Sequence, residues 1–144
     1  LPCKIFISRI IPLIYMGGKK TALEGIITSG LEEGAFFMSM QHYKDEIRKK
    51  LGFDAYPGTL NLKVDEKELK SLNNTKSIRI EGYRSGSKKF GGARCFKAKI
   101  KNVNGAIIIP DLTKHKGIIE FISSVHLRSK LNLNDGDKIR VELP

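Results

Sequence analysis

Three stretches of the 144-residue chain carry groups that could do chemistry. The first is Ser29-Gly30-Leu31-Glu32-Glu33-Gly34-Ala35. Glycines four apart allow a backbone path on which several N–H groups converge, a nest that binds phosphate without a lysine. The Gly-Lys-Ser/Thr ending of a P-loop is missing. Two glutamates also oppose an anion unless they point away, so a plain β-hairpin turn stands beside the phosphate reading. The second stretch is Tyr56-Pro57-Gly58-Thr59-Leu60-Asn61-Leu62. Pro-Gly turns the chain into a strand, and residues two apart on a strand share a face. Thr59 and Asn61 then offer a hydroxyl and an amide oxygen side by side. Such hard neutral ligands suit Mg2+ when phosphates bring the negative charge, and otherwise satisfy backbone groups at a strand start. In the third stretch, Thr113 and Glu120 could hydrogen-bond a polyol or a heterocycle. Val125-His126-Leu127-Arg128 ends in a guanidinium able to fork onto phosphate or carbonyl oxygen. His115 and His126 read as surface or structural histidines. No Ser-His-Asp or Cys-His arrangement stands out, and no cluster has zinc spacing.

The elements that must position these residues are mostly short strands. ALEGIITSG and AFFMSM flank the glycine turn, TLNLKV alternates apolar and polar residues, and KSIRIEGY repeats that pattern. RCFKAKI ends in a strand-like run. GAIIIP is continuously apolar, as a fully buried strand requires, KGIIEFISSV follows, and DKIRVEL closes the chain after the turn Asn134-Asp135-Gly136-Asp137. Two helices are expected. In QHYKDEIRKKLGF, Tyr43, Ile47 and Leu51 form one apolar stripe. Asp45 and Glu46 come early and Arg48-Lys49-Lys50 late, in accord with the helix dipole, and Gly52 is placed to end the helix. HLRSKLNL supplies one or two further turns. YRSGSKKFGG reads as a basic, mobile loop. Many short strands with two small helices point to a closed β-barrel, which removes exposed strand edges.

Composition bounds the partners. Hydrophobic residues make up 40% and charged residues 28% of the chain, enough for one globular domain with a core. Lys plus Arg number 26 against 15 Asp plus Glu, a net charge of +11. That balance favours polyanions such as nucleic acid, nucleotide phosphates or an anionic surface, or is ordinary solvated lysine. Cys3 and Cys95 form no CxxC pair, so a reducing, cytoplasmic setting is expected, with Cys95 as a small core residue. The opening LPCKIFISRIIPLIYM is broken by Arg9 and Pro12, is shorter than the ~20 apolar residues a membrane span needs, and lacks a clear cleavage site. Residues 1–20 read as a lead-in strand or the remnant of an upstream domain, and 21–144 as the functional domain.

The ordered set of motifs resembles the archaeal CTP-dependent riboflavin kinase family. SGLEEG, PGTLN, GAIIIP, TKH, Ile119-Glu120, Leu127-Arg128 and Asp135-Gly136-Asp137 follow the family's order from about Leu23 to Leu143. The resemblance implies a mainly β fold, a six-stranded cradle-loop barrel with one or two short helices. It implies Mg2+-assisted transfer of the γ-phosphate of CTP to the 5′-hydroxyl of riboflavin, giving FMN and CDP. Mapped onto this chain, the nucleotide is contacted by Gly30, Leu31, Glu32, Glu33, Gly34 and Ala35 and by Val125, His126, Leu127 and Arg128. Thr113 and Glu120 contact the flavin, and Thr59 and Asn61 bind the metal. No general base is implied, and Glu120 and His115 are the candidates. This chain has Glu32 where the family loop has its second glycine and Ala35 where a basic residue is common, and the Thr113–Glu120 spacing is about one residue shorter. Two rival readings remain: a basic barrel that regulates by binding DNA, and a flavin or nucleotide sensor with weakened catalysis. The ordered motifs do not favour a nucleic-acid partner, although some family members carry an upstream DNA-binding domain.

Overall fold

Antiparallel pairing closes six of the strands on themselves. The structure, a computed structural model, describes residues 22–29, 38–113 and 116–144. Among them run β1 (Ala22–Thr28), β2 (Leu60–Lys63), β3 (Ile78–Ile80), β4 (Tyr83–Ser85), β5 (Lys88–Phe90), β6 (Ala93–Ile100), β7 (Val103–Pro110), β8 (Ile118–Ser123) and β9 (Lys138–Glu142). The main sheet has the order β3-β6-β7-β8-β2-β1-β9. Lys99 of β6 also pairs with Glu142 of β9, which closes a barrel of β6, β7, β8, β2, β1 and β9. β3 lies outside that circuit, along the other half of β6, with Ile78 opposite Cys95.

Strand alternation produces two cores rather than one. Leu23, Ile27, Leu62, Phe96, Ile107, Phe121 and Val141 fill the barrel. Their neighbours face outward, and many of those are buried too: Ile80, Cys95, Ala106, Ile108 and Ile122 pack under Met38, Tyr43, Ile47 and Leu51. Burial on both faces is why GAIIIP is continuously apolar, since Ile107 points in and Ile108 out. Each large side chain so buried contributes ~1.5–3 kcal/mol. Tyr43, Ile47 and Leu51 are the expected stripe of helix α1 (Gln41–Leu51). Gly52 ends the helix at φ 86°, where its N–H reaches the Arg48 carbonyl at 3.1 Å. Cys95 is fully buried, and burial pushes its thiol pKa up to about 12.

Several expectations need correction. Met38 and Ser39 are helical, not part of a strand over AFFMSM. Both edges of β1 are taken, by β2 and β9, so β1 has no edge left for a hairpin partner after the glycine turn. Gly30–Ala35 themselves lie outside the described residues, as do residues 1–21 and His115. YRSGSKKFGG is the hairpin β4–β5, turned at Gly86 with φ 62° and held by Tyr83 stacked on Phe90 at 5.5 Å. The first turn of α1 holds no acid, because the helix begins at Gln41 and Asp45 and Glu46 fall in its second turn. Besides α1 and α3 (Leu127–Leu131) there is a third helix, α2 (Glu66–Lys70), which runs into a 3-10 turn over Ser71–Asn74. Its charged sequence gives little periodicity, and only Leu72 of the pair is buried. No described helix is long and apolar enough to cross a membrane.

Gly105 of β7 stands where a Cβ would come within 2.2 Å of the Ile122 carbonyl oxygen and 2.5 Å of Phe121 Cε1. Gly105→Ala is therefore expected to destabilise the fold by about 3 kcal/mol, read as a lowered urea midpoint. An unchanged midpoint would contradict the register that sets Gly105 opposite Ser123.

Candidate active site

Strand register assembles the site on the outer wall of the barrel. Cross-strand partners share a face, and the partner list gives one row: Thr28 opposite Asn61, Asn61 opposite Glu120, Glu120 opposite Ile108, and Ile108 opposite Cys95. The apolar half, Ile108 and Cys95, belongs to the outer core with α1 and Met38. The polar half is nearly as dry, with Asn61 5% and Glu120 3% exposed. Thr59, two residues before Asn61, joins them: its hydroxyl donates to Glu120 Oε1 at 2.6 Å and lies 3.4 Å from Asn61 Oδ1. Burying a carboxylate is costly unless it is hydrogen-bonded or paired, which is the role of the Thr59 hydroxyl here. TLNLKV is accordingly not half-buried, since Leu60, Asn61 and Leu62 are all covered.

Two cavities are lined by the other residues singled out in the sequence. One, of about 260 Å³, is lined by Tyr56–Leu60, Phe121, Ser123 and Val125–Arg128. Ser123 fixes its far wall: the hydroxyl donates to the Val125 carbonyl at 2.8 Å and its carbonyl accepts from the Tyr56 N–H at 2.7 Å. The Tyr56 and His126 rings sit 5.0 Å apart, and His126 Nδ1 meets Ser129 Oγ at 2.6 Å. Arg128 Nη2 donates to the Thr28 carbonyl at 3.0 Å and to Asp135 Oδ1 at 2.6 Å. Asp135 Oδ2 accepts from Ser29 Oγ at 2.8 Å, and these two bonds hold the Asp135 carboxyl below its ordinary pKa, Arg128 most strongly. The second cavity, of about 550 Å³, is lined by Thr113 with Arg94, Ile109, Leu69, Leu72 and Ile118 among others. Leu69, Leu72, Ile109 and Ile119 belong to the barrel core, so this cavity opens on the inward face of the sheet, and Ile118, two before Glu120 on β8, is its one lining residue on the trio's face.

The structure thus brings Thr59, Asn61 and Glu120 into one cluster and sets Val125–Arg128 on one side of it. Thr113 is not brought to the cluster and lines a cavity that Glu120 does not line. Ser123 joins the site without having been singled out in the sequence, and Ser29, Tyr56 and Asp135, which stood within the quoted stretches and turn, join it without having been given a role. The signal for Asp135 was the turn it sits in, but nothing in a linear pattern ties residue 135 to residue 29.

The donor set fits a hard divalent cation. Cis oxygens around an octahedral Mg2+ with ~2.1 Å bonds stand about 3 Å apart, and the trio's separations of 2.6 and 3.4 Å bracket that. Among the described residues no three His, Cys, Asp or Glu gather as a metal site, so this cluster of one carboxylate and two neutral oxygens leaves most of the charge to be supplied by a ligand.

Fold and site together define a small antiparallel barrel with an oxygen cluster on its outer wall, beside the cavity that Thr59 and Val125–Arg128 line. Residues 27–143 match the family model CTP-dep_RFKase, described as "Domain of unknown function DUF120". The chain belongs to this family, the CTP-dependent riboflavin kinases. It is 43% identical over 135 residues to the riboflavin kinase of Pyrobaculum aerophilum, covering 91% of this chain and 64% of that protein. It is 42% identical over 125 residues to the riboflavin kinase of Archaeoglobus fulgidus, covering 84% of this chain and 54% of that protein. Against the riboflavin kinase of Saccharolobus solfataricus it is 40% identical over 127 residues, covering 84% and 73%. The chain therefore spans less than two thirds of the first two relatives.

Asn61→Asp sets a second carboxylate directly opposite Glu120 in a dry site. Like charges so placed are expected to destabilise the fold by roughly 1–3 kcal/mol at pH 7. Millimolar Mg2+ should raise the variant's melting temperature more than the wild type's. A variant with an unchanged melting temperature and no response to Mg2+ would show that the two positions do not form a cation-competent pair.

Proposed function

We propose that the chain is a CTP-dependent riboflavin kinase that transfers the γ-phosphate of CTP to the riboflavin 5′-hydroxyl, giving FMN and CDP, in the cytoplasm. The observation that carries the reading is the hydrogen-bonded trio Thr59, Asn61 and Glu120, of which Thr59 also lines the Val125–Arg128 cavity. Family membership and relatives named riboflavin kinase support it.

The Val125–Arg128 cavity takes the nucleotide, with Arg128 toward its phosphates and the Tyr56 and His126 rings available to the base. Gly30–Ala35 contact the nucleotide as well: Ser29 just before them is bonded to Asp135 beside Arg128, and Met38 beyond them is anchored in the outer core. The Thr113 cavity, lined by Ile109, Leu69 and Leu72, takes the flavin ring, and Glu120 receives the hydroxyl end of the ribityl chain. Thr59 and Asn61, with Glu120 beside them, hold Mg2+, which when bound neutralises phosphate charge during transfer. Phosphoryl transfer needs alignment and charge relief more than covalent help from the protein. The 5′-oxygen forms a bond to the γ-phosphorus as the bond to the β-phosphate oxygen breaks. CDP departs, and the hydroxyl proton passes to the Glu120 carboxylate or to the transferred phosphate. The neutral oxygens of Thr59 and Asn61 suit this task, because acidic ligands there would repel the phosphates they must share a cation with.

Purified protein with riboflavin, Mg2+ and CTP is expected to form FMN, resolved by chromatography, with ATP, GTP and UTP much poorer donors. EDTA should abolish the product, and Thr59→Ala and Asn61→Ala should each lower kcat by about 100-fold or more. Folded variants with full activity would remove these residues from the metal site. Absence of FMN with every nucleotide would remove the kinase reading.

A further inference from the structure

We propose that Asp135 is a positioning residue for nucleotide binding: it holds the Arg128 guanidinium at the edge of the cavity and ties it to Ser29, the residue that opens the glycine loop. The inference rests on the reading of that cavity as the nucleotide site.

The carboxylate uses both oxygens. Oδ1 accepts from Arg128 Nη2 at 2.6 Å and Oδ2 from Ser29 Oγ at 2.8 Å. Arg128 is thereby anchored through one nitrogen, shared with the Thr28 carbonyl at 3.0 Å. Among the described residues its Nε and Nη1 make no hydrogen bond, and the side chain lines the cavity. A guanidinium held this way presents its remaining edge as a preformed fork for a phosphate, and fixing the fork in advance reduces the ordering cost of binding. An Arg without such an anchor has to be ordered by the ligand itself.

The backbone explains why Asp135 is in place to do this. Its turn is clipped to β1 on both sides, the Ile27 N–H donating to the Asp137 carbonyl at 2.9 Å and the Gly136 N–H to the Ile27 carbonyl at 2.8 Å. Inside the turn, the Asn134 N–H donates to Asp137 Oδ2 at 2.8 Å and Gly136 takes φ 92°. Asp135 is thus the only residue of Asp135-Gly136-Asp137 whose side chain reaches across to Arg128 and Ser29. Asp137 stabilises the turn, Gly136 permits it, and Asp135 carries its connection to the cavity. The bond network runs from β9's turn through Arg128 on α3 to the end of β1, where the loop begins.

The test is steady-state kinetics with CTP, Mg2+ and riboflavin on the wild-type chain, Asp135→Ala, Asp135→Asn, Arg128→Ala and the Asp135→Ala/Arg128→Ala double variant. The KM for CTP should rise about tenfold in Asp135→Ala and about threefold in Asp135→Asn, which keeps an acceptor but loses the charge. The KM for riboflavin should stay within about twofold, a split that a general loss of structure would not produce. Because Asp135 acts through Arg128, the double variant should match Arg128→Ala alone. Should Asp135→Ala fail to fold, Asp135→Asn, a residue at home in turns, carries the comparison. A KM for CTP unchanged in the Asp135 variants, or effects that multiply in the double variant, would overturn the inference. A folded wild type that makes no FMN overturns the kinase reading instead. Calorimetric titration with CDP and Mg2+ then reads the same ratios as Kd values.

Discussion

The pairing of β2 with β8 is the constraint on which the rest of the site depends. It sets Asn61 opposite Glu120, and with Thr59 one step along the same face it brings three oxygens together from positions 59, 61 and 120. Side chains alternate along a strand, so a slip of one residue would carry Asn61 and Glu120 into the barrel interior. There they would meet Phe96, Ile107 and Phe121 in place of one another. The hydrophobic pattern of Leu60, Leu62, Ile119 and Phe121 prevents that slip. The residues that fill the barrel therefore also hold the register of the site, and Leu60 and Phe121 line its cavity as well.

Placing the site on the outer wall follows from barrel size. Six strands leave a lumen that side chains fill, so a ligand of nucleotide or flavin size has to be bound outside. The outer wall is prepared for this by its division into an apolar and a polar half. Ile108 and Cys95 anchor α1 and Met38, and the same row continues to Glu120, Asn61 and Thr28. The segment from residue 30 to residue 37 joins the ends of that row, from Ser29 beside Asp135 to Met38 in the outer core.

How much of this was legible in the sequence depended on the range of the interaction. The stripe Tyr43, Ile47, Leu51 and the stop at Gly52 are local patterns of one helix, and both hold. The continuous run GAIIIP identified a strand buried on two faces before the second core was known. The hairpin β4–β5 was missed because Gly and Ser in YRSGSKKFGG signal turns, while what holds it, Tyr83 on Phe90, is a pairing across the turn. Helix α2 was missed because EKELK has almost no apolar stripe to read, and the strand expected over AFFMSM gave way to helix at Met38 and Ser39. In the site, Thr59 and Asn61 were legible as neighbours by strand period, and Glu120 as a polar residue in an apolar run. Their meeting was not legible, because it spans 61 residues and is made by sheet register. The Ser29–Asp135 bond spans 106 residues, and no local pattern encodes it.

The surface charge and the site obey different logic. A net charge of +11 raises the concentration of any polyanion near the surface and selects none of them. Selection has to come from groups that the fold holds in place. Arg128 is tied to Asp135, and Arg79, near the β4–β5 hairpin, is tied to Asp111. A cluster of lysines at the trio would hold phosphate tightly before and after transfer alike, and uniform binding of that sort does not speed the chemical step. One anchored guanidinium and three oxygens suited to a cation instead fix polar groups at defined points of the outer wall. Directly across the strands from Asn61 and Glu120, 5% and 3% exposed, stand Thr28, Ile108 and each other, so register rather than composition sets what meets them.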